Sequence, residues 1–65
     1  MIQKRYFNAR EISTYLGVSE EAIRKWTLRG KIPFVKLGKS LRFDMIKIES
    51  WVKSRESSYA QKEFN

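Results

Sequence analysis

All three glycines of this 65-residue chain and its single proline fall between positions 17 and 38. These residues punctuate regular structure: glycine tolerates the left-handed backbone that closes helices and turns, and proline removes a backbone donor. Gly17, Gly30, Pro33 and Gly38 therefore mark the boundaries between elements up to position 38. Sixty-five residues make one domain, and its core is marginal, because a chain this small buries only about 60% of its unfolded surface. With no cysteine and no histidine, neither a disulfide nor a Cys/His metal site can reinforce it. The nine aromatic residues must carry much of the packing.

The pieces have readable boundaries. Asn8 is a good N-cap with Glu11 placed to complete a capping box, and Phe7 can staple the first turn. Ala9, Ile12, Ser13 and Leu16 share one helical face, so the spacing predicts a helix over 9–16, stopped at Gly17. Ser19 caps a second helix whose inward residues are Ile23, Trp26 and Thr27, and Gly30 ends it. Ile32-Pro33 forces an extended exit. Residues 34–37 and 41–43 alternate as strands, and Gly38-Lys39-Ser40 between them has hairpin length and chemistry. Asp44 caps a third helix over about 45–55, with Ile48, Trp51, Val52 and Arg55 on one face and Met45 above them. Residues 1–7 read as a lead-in. The ordered core is expected over about 6–56, with the tail 57–65 frayed.

Two short helices joined at Leu16-Gly17-Val18-Ser19 form a helix-turn-helix. Ile12 and Leu16 must meet Ile23 and Trp26, Gly17 permits the corner, Val18 plugs it, and Ser13 is small where the helices come closest. Such a pair presents its second helix to the DNA major groove. A β-hairpin and a further helix make the expected fold class α+β, mainly helical: a winged helix-turn-helix.

Charge points the same way. From Ala22 to Phe43 there is no Asp or Glu, while Arg24, Lys25, Arg29, Lys31, Lys36, Lys39 and Arg42 stand there. Seven of the fourteen bases face none of the seven acids in that stretch, so the formal charge of +7 resides in one contiguous third of the chain. A cation block this local predicts a polyanionic partner. Gly30, Pro33 and Gly38 prevent the block from being one amphipathic helix, which argues against a membrane surface. No apolar run approaches the roughly 20 residues of a membrane span, and the N-terminus lacks the apolar core of a signal peptide. A cytoplasmic, nucleoid-associated setting is expected.

The segment from Asn8 to Val52 resembles the excisionase-type winged helix-turn-helix domains, which are similar to the DNA-binding part of MerR-like regulators. The matching run is Ala-Arg-Glu-Ile-Ser-Thr-Tyr-Leu-Gly-Val-Ser at 9–19, with Ile23, Trp26 and Arg-Gly-Lys-Ile-Pro at 29–33. It continues with Val35-Lys36-Leu37-Gly38, Leu41-Arg42-Phe43 and Ile48 through Val52. The resemblance implies that the helix from Ser19 enters the major groove and that the turn at 38–40 is the wing. Lys47 stands where that family often has Asp, which leaves the cap to Asp44.

On this reading the recognition-helix contacts are Ser19, Glu20, Glu21, Arg24, Lys25, Leu28 and Arg29, and the wing contacts are Lys36, Lys39, Ser40 and Arg42. Arg24 can be bidentate to guanine; Lys25 suits phosphate; Leu28 suits a thymine methyl or, equally, core or rim packing. Glu20 and Glu21 either accept from cytosine N4 or favour the helix N-terminus, the second reading being preferred. Arg29 is a phosphate clamp or a helix-dipole partner, and Arg42 binds phosphate or covers Trp51 or Phe43 with its stem. Ser19 is a cap first. Tyr15 lies beside the core face, within reach of a phosphate. Trp26 and Trp51 fall on core faces rather than on a stacking platform.

Gly-Lys-Ser at 38–40 is not a nucleotide loop, since Pro33 stands where its first glycine belongs. With no histidine, cysteine or carboxylate pair suited to a pocket, no enzymatic activity, cofactor or metal is expected. The expected partner is double-stranded DNA, bound by a monomer that can assemble cooperatively on repeated sites. An integrase or recombinase is implied as a protein partner by the resemblance to excisionases. A small transcriptional regulator is the alternative within DNA binding, and a protein-interaction adaptor for an acidic partner is the alternative outside it.

Overall fold

The computed structural model describes residues 4–62, with side chains through Glu56. Its elements run β1 (Tyr6–Phe7), α1 (Ala9–Leu16), α2 (Glu20–Leu28), β2 (Val35–Leu37), β3 (Ser40–Asp44) and α3 (Met45–Lys62). Three helices and a small antiparallel sheet make a mainly helical α+β fold of the winged helix-turn-helix type.

Local chemistry sets the helix ends. Asn8 accepts from the Glu11 amide at 2.8 Å while the Glu11 carboxylate accepts from the Asn8 amide at 2.9 Å, a complete capping box. At the other end of α1, Gly17 adopts φ +73°, and the Val18 amide reaches back to the Ser13 carbonyl at 3.0 Å. Gly30 repeats the device after α2, with φ +65° and the Lys31 amide on the Trp26 carbonyl at 2.8 Å. Both are six-to-one closures through a left-handed residue. A Cβ at either glycine would meet no neighbouring atom, so the demand for glycine there is conformational, not steric.

The sheet order is β1-β3-β2. In the hairpin Leu37 pairs with Ser40 and Val35 with Arg42, leaving a two-residue turn, Gly38-Lys39. Gly38 has φ +66° and Lys39 keeps a negative φ, the pattern of a type II′ turn whose twist suits paired strands. The turn is therefore one residue shorter than the three-residue span 38–40, and Ser40 opens β3. The strands run 35–37 and 40–44, against the expected 34–37 and 41–43.

Two expectations are corrected. Tyr6 and Phe7, read as lead-in, form a strand that pairs with Asp44 and Phe43. Two residues cannot display a period of two, so no alternation announced it. Residues 1–3 of the same lead-in lie outside the described residues. The third helix continues to Lys62, through the first six residues of the tail expected to fray. Neither glycine nor proline follows Gly38, so no backbone breaker ends it earlier. Residues 63–65 lie outside the described residues.

Ile12, Ile23, Phe43 and Ile48 are fully buried, with Ala9 and Ile32 beside them. Phe7, Leu16, Val18, Trp26, Leu41, Met45, Trp51 and Val52 pack against this centre. Four of the six core residues were legible from helical periodicity. Phe43 came from strand alternation, while Ile32 sits in a connection and carries no periodic signal. The one side of α2 that is buried fixes which side remains free.

Candidate nucleic-acid interface

The free side of α2 follows from its packing. Ser19 is extended, and its hydroxyl accepts from the Ala22 amide at 3.1 Å, so it serves as the cap. Ile23 points into the core, and Trp26 and Thr27 are half-buried. The Thr27 hydroxyl is occupied by the Ile23 carbonyl at 2.8 Å. The exposed positions are Glu21, Arg24, Lys25 and Leu28. They are spaced i, i+3, i+4 and i+7, a single stripe along the helix. Leu28 is 87% exposed, which leaves it available as a contact and removes the rim-packing alternative. Arg29 follows as the C-cap and Lys31 just after it, both exposed.

The wing continues this pattern. Lys36, Lys39 and Ser40 are exposed, and Lys39 occupies the turn itself. Arg42 is half-buried, and its guanidinium donates to the Leu41 carbonyl at 2.7 Å. The cation that stands over Trp51 is Arg55, 4.7 Å from the ring centroid.

The cations of the acid-free stretch stand largely unneutralised. Among the described residues, one ion pair reaches into the stretch, Glu20 with Arg24, one helical turn apart. Six of its seven cations are exposed. Elsewhere, ionic partners are used to build. Lys4 pairs with Glu11, and its hydrogen bond, with that of the Asn8 amide, holds the Glu11 carboxyl below its usual range; Arg42 contributes at longer reach. Arg5 donates twice to Asp44, at 3.0 and 2.8 Å, in a bidentate fork. That bond lowers the Asp44 carboxyl, and the carboxylate in turn raises the Arg5 guanidinium. Asp44 also accepts from the Ile46 amide at 3.0 Å, so the expected cap of α3 is present.

Several other expectations acquire definite places. Tyr15 donates to the Glu49 carboxylate at 2.7 Å, tying α1 to α3, and this bond raises its phenol pKa. It is a structural link here and does not stand free for a phosphate. Trp26 and Trp51 meet as a tilted pair, 5.8 Å between centroids, and the Trp51 indole N–H donates to the Lys31 carbonyl at 2.8 Å. Both serve the core side, as their periodicity predicts. Arg5 is the scaffold residue that sequence reasoning missed. Its partner lies 39 positions away, beyond the range of any local pattern.

Among the described residues, no helix is long and apolar enough to cross a membrane. A family model described as a helix-turn-helix domain, an excisionase-like DNA-binding family, matches residues 6–56. No curated protein matches the chain.

Proposed function

We propose, from the premise that this chain belongs to the helix-turn-helix domain family, that it is a sequence-specific duplex-DNA-binding accessory factor of the excisionase type. Family membership supports DNA binding and DNA as the partner; the rest is our reading. The observation that carries it is the exposure of the acid-free stretch on two separate elements, the Arg24–Leu28 part of the α2 stripe and the wing. Leu28, the most exposed of the large apolar side chains, lies on that stripe beside Arg24. A base-reading helix can use such a pair, because an apolar side chain suits a thymine methyl and a guanidinium suits a guanine edge.

In this mechanism α2 lies in the major groove. Arg24 reads a base edge, Leu28 meets a methyl, and Glu21 accepts from a cytosine amine or stays at the rim. Lys25 and Arg29 hold phosphates on one side, while Lys36, Lys39 and Arg42 hold the neighbouring backbone through the wing, with Ser40 as a hydroxyl donor. Grip at two points spaced along a duplex favours bending it, which is what an accessory factor contributes to recombination. The protein acts without chemistry of its own, at the nucleoid, beside an integrase.

Selection from a random duplex pool followed by titration tests this. Four to seven phosphate contacts give a log–log salt slope of roughly −4 to −6. A slope near zero, or no enriched sequence, refutes it. A reporter and an excision assay, each with and without an integrase, separate excision from transcriptional regulation. Regulation alone would appear without the integrase.

A further inference from the structure

We propose that Glu20 is a specificity-determining positioning residue: by pairing with Arg24 it converts that arginine from a phosphate ligand into a base-edge reader. This rests on the duplex-DNA reading above and deepens it.

The argument starts from position. Arg24 lies in the middle of the exposed stripe of α2, its side chain 61% exposed, and Glu20 sits one turn nearer the N-terminus, 39% exposed. Glu20 engages one terminal nitrogen of the guanidinium, Nη2. A guanidinium has five N–H donors in a planar fork, so one hydrogen bond leaves the others available. The ion pair is electrically neutral as a unit. A phosphate attracts chiefly through charge, so it gains little from a neutralised arginine and meets the Glu20 carboxylate as a like charge. The O6 and N7 acceptors of guanine are uncharged. They take the remaining N–H donors without repelling Glu20, which holds the fork in place while they do.

The other cations of the stretch have no such partner among the described residues. The molecule therefore separates two tasks. Unpaired lysines and Arg29 supply affinity for any duplex, and one paired arginine supplies discrimination. The first-turn position of Glu20 also suits the helix dipole, but Glu21 shares that turn and would serve as well, so the dipole does not account for the pairing.

The test is a double-mutant cycle on the full chain, with binding measured to random-sequence duplex and to the duplex enriched by selection. E20Q is expected to raise affinity for random duplex several-fold and to steepen the log–log salt slope by about 0.9, one added phosphate. The ratio of selected to random affinity falls accordingly. In an R24Q background the same substitution relieves like-charge repulsion of selected and random duplex alike, so both affinities are expected to rise and their ratio to hold. An unchanged ratio of selected to random affinity in E20Q with Arg24 present overturns the proposal, because plain repulsion between Glu20 and DNA raises both affinities together and needs no arginine. Binding by the unaltered chain with an inert E20Q overturns it as well, while leaving the duplex reading in place. Absence of duplex binding by the unaltered chain removes both. Unchanged far-UV circular dichroism in E20Q and R24Q shows that the fold is intact in each comparison.

Discussion

Charged residues have different work in the scaffold and in the acid-free stretch between Ala22 and Phe43. In the scaffold they meet partners: Lys4 with Glu11, Arg5 with Asp44, Tyr15 with Glu49. Each contact joins segments that local hydrogen bonding leaves separate, and Arg5–Asp44 fastens the β1 edge to the start of α3. Within the stretch, six of seven cations face solvent, and the one ion pair among the described residues, Glu20–Arg24, lies within one helix. The difference teaches that net charge here is not spread for solubility. It is withheld from structure on the elements left free by the core.

The contrast can be broken at its strongest point by emptying the core. Phe43 is fully buried, and Phe43→Ala is expected to cost about 3–5 kcal/mol. Stability of a small domain is roughly 5–15 kcal/mol in total, so thermal denaturation should show a protein near its folding limit and duplex binding should fall with it. The opposite arm is Lys36→Gln with Lys39→Gln. Both side chains are exposed, so the melting temperature should hold while the salt slope becomes shallower by about 1.8, two phosphates fewer. A large drop in melting temperature would place these lysines in the scaffold.

Asp44→Asn sharpens the comparison at intermediate strength. It removes a bidentate partner and weakens a cap, and the melting temperature should fall by about 5–10 °C, with the salt slope unchanged. The same chemistry has a pH signature. Folding lowers the carboxyls of Asp44 and Glu11 from their ordinary values of 3.8 and 4.5. A lowered folded pKa gives stability that is present above those values and is lost as pH falls through the folded ones. Acid titration of stability should therefore begin below about pH 4.5, and Asp44→Asn should remove part of the slope. The smallest effect is expected from Leu28→Ala. Its stability change should stay within about 0.5 kcal/mol, and selection should relax at one thymine-bearing position while the salt slope holds.

Much of the scaffold was legible because its signals are local. A capping box spans three residues, a left-handed glycine needs only itself, and a helix face repeats within a turn or two. Asn8, Gly17, Ser19, Gly30 and Asp44 all occupy the roles their chemistry suggests. What escaped was non-local. The strand at Tyr6–Phe7 exists only because β3 offers it a ladder, Ile32 is buried in the core cluster although it belongs to no helix or strand, and Arg5 finds its partner 39 residues on. On the candidate interface, the outward set 21, 24, 25 and 28 is the complement of Ile23, Trp26 and Thr27. The side that faces out was implied once the side that faces in was known.

The sequence by itself determined where the chain turns, which helix faces are apolar, and that every unit of net charge lies between two sets of carboxylates. Those are properties of neighbouring residues, set by backbone freedom, periodicity and composition. Tertiary structure alone decided which distant charges met. Glu20 stands four residues before Arg24, so that pair lies within the reach of one helix. Arg5 and Asp44 lie 39 positions apart and meet only because β1 and β3 are brought together in one sheet.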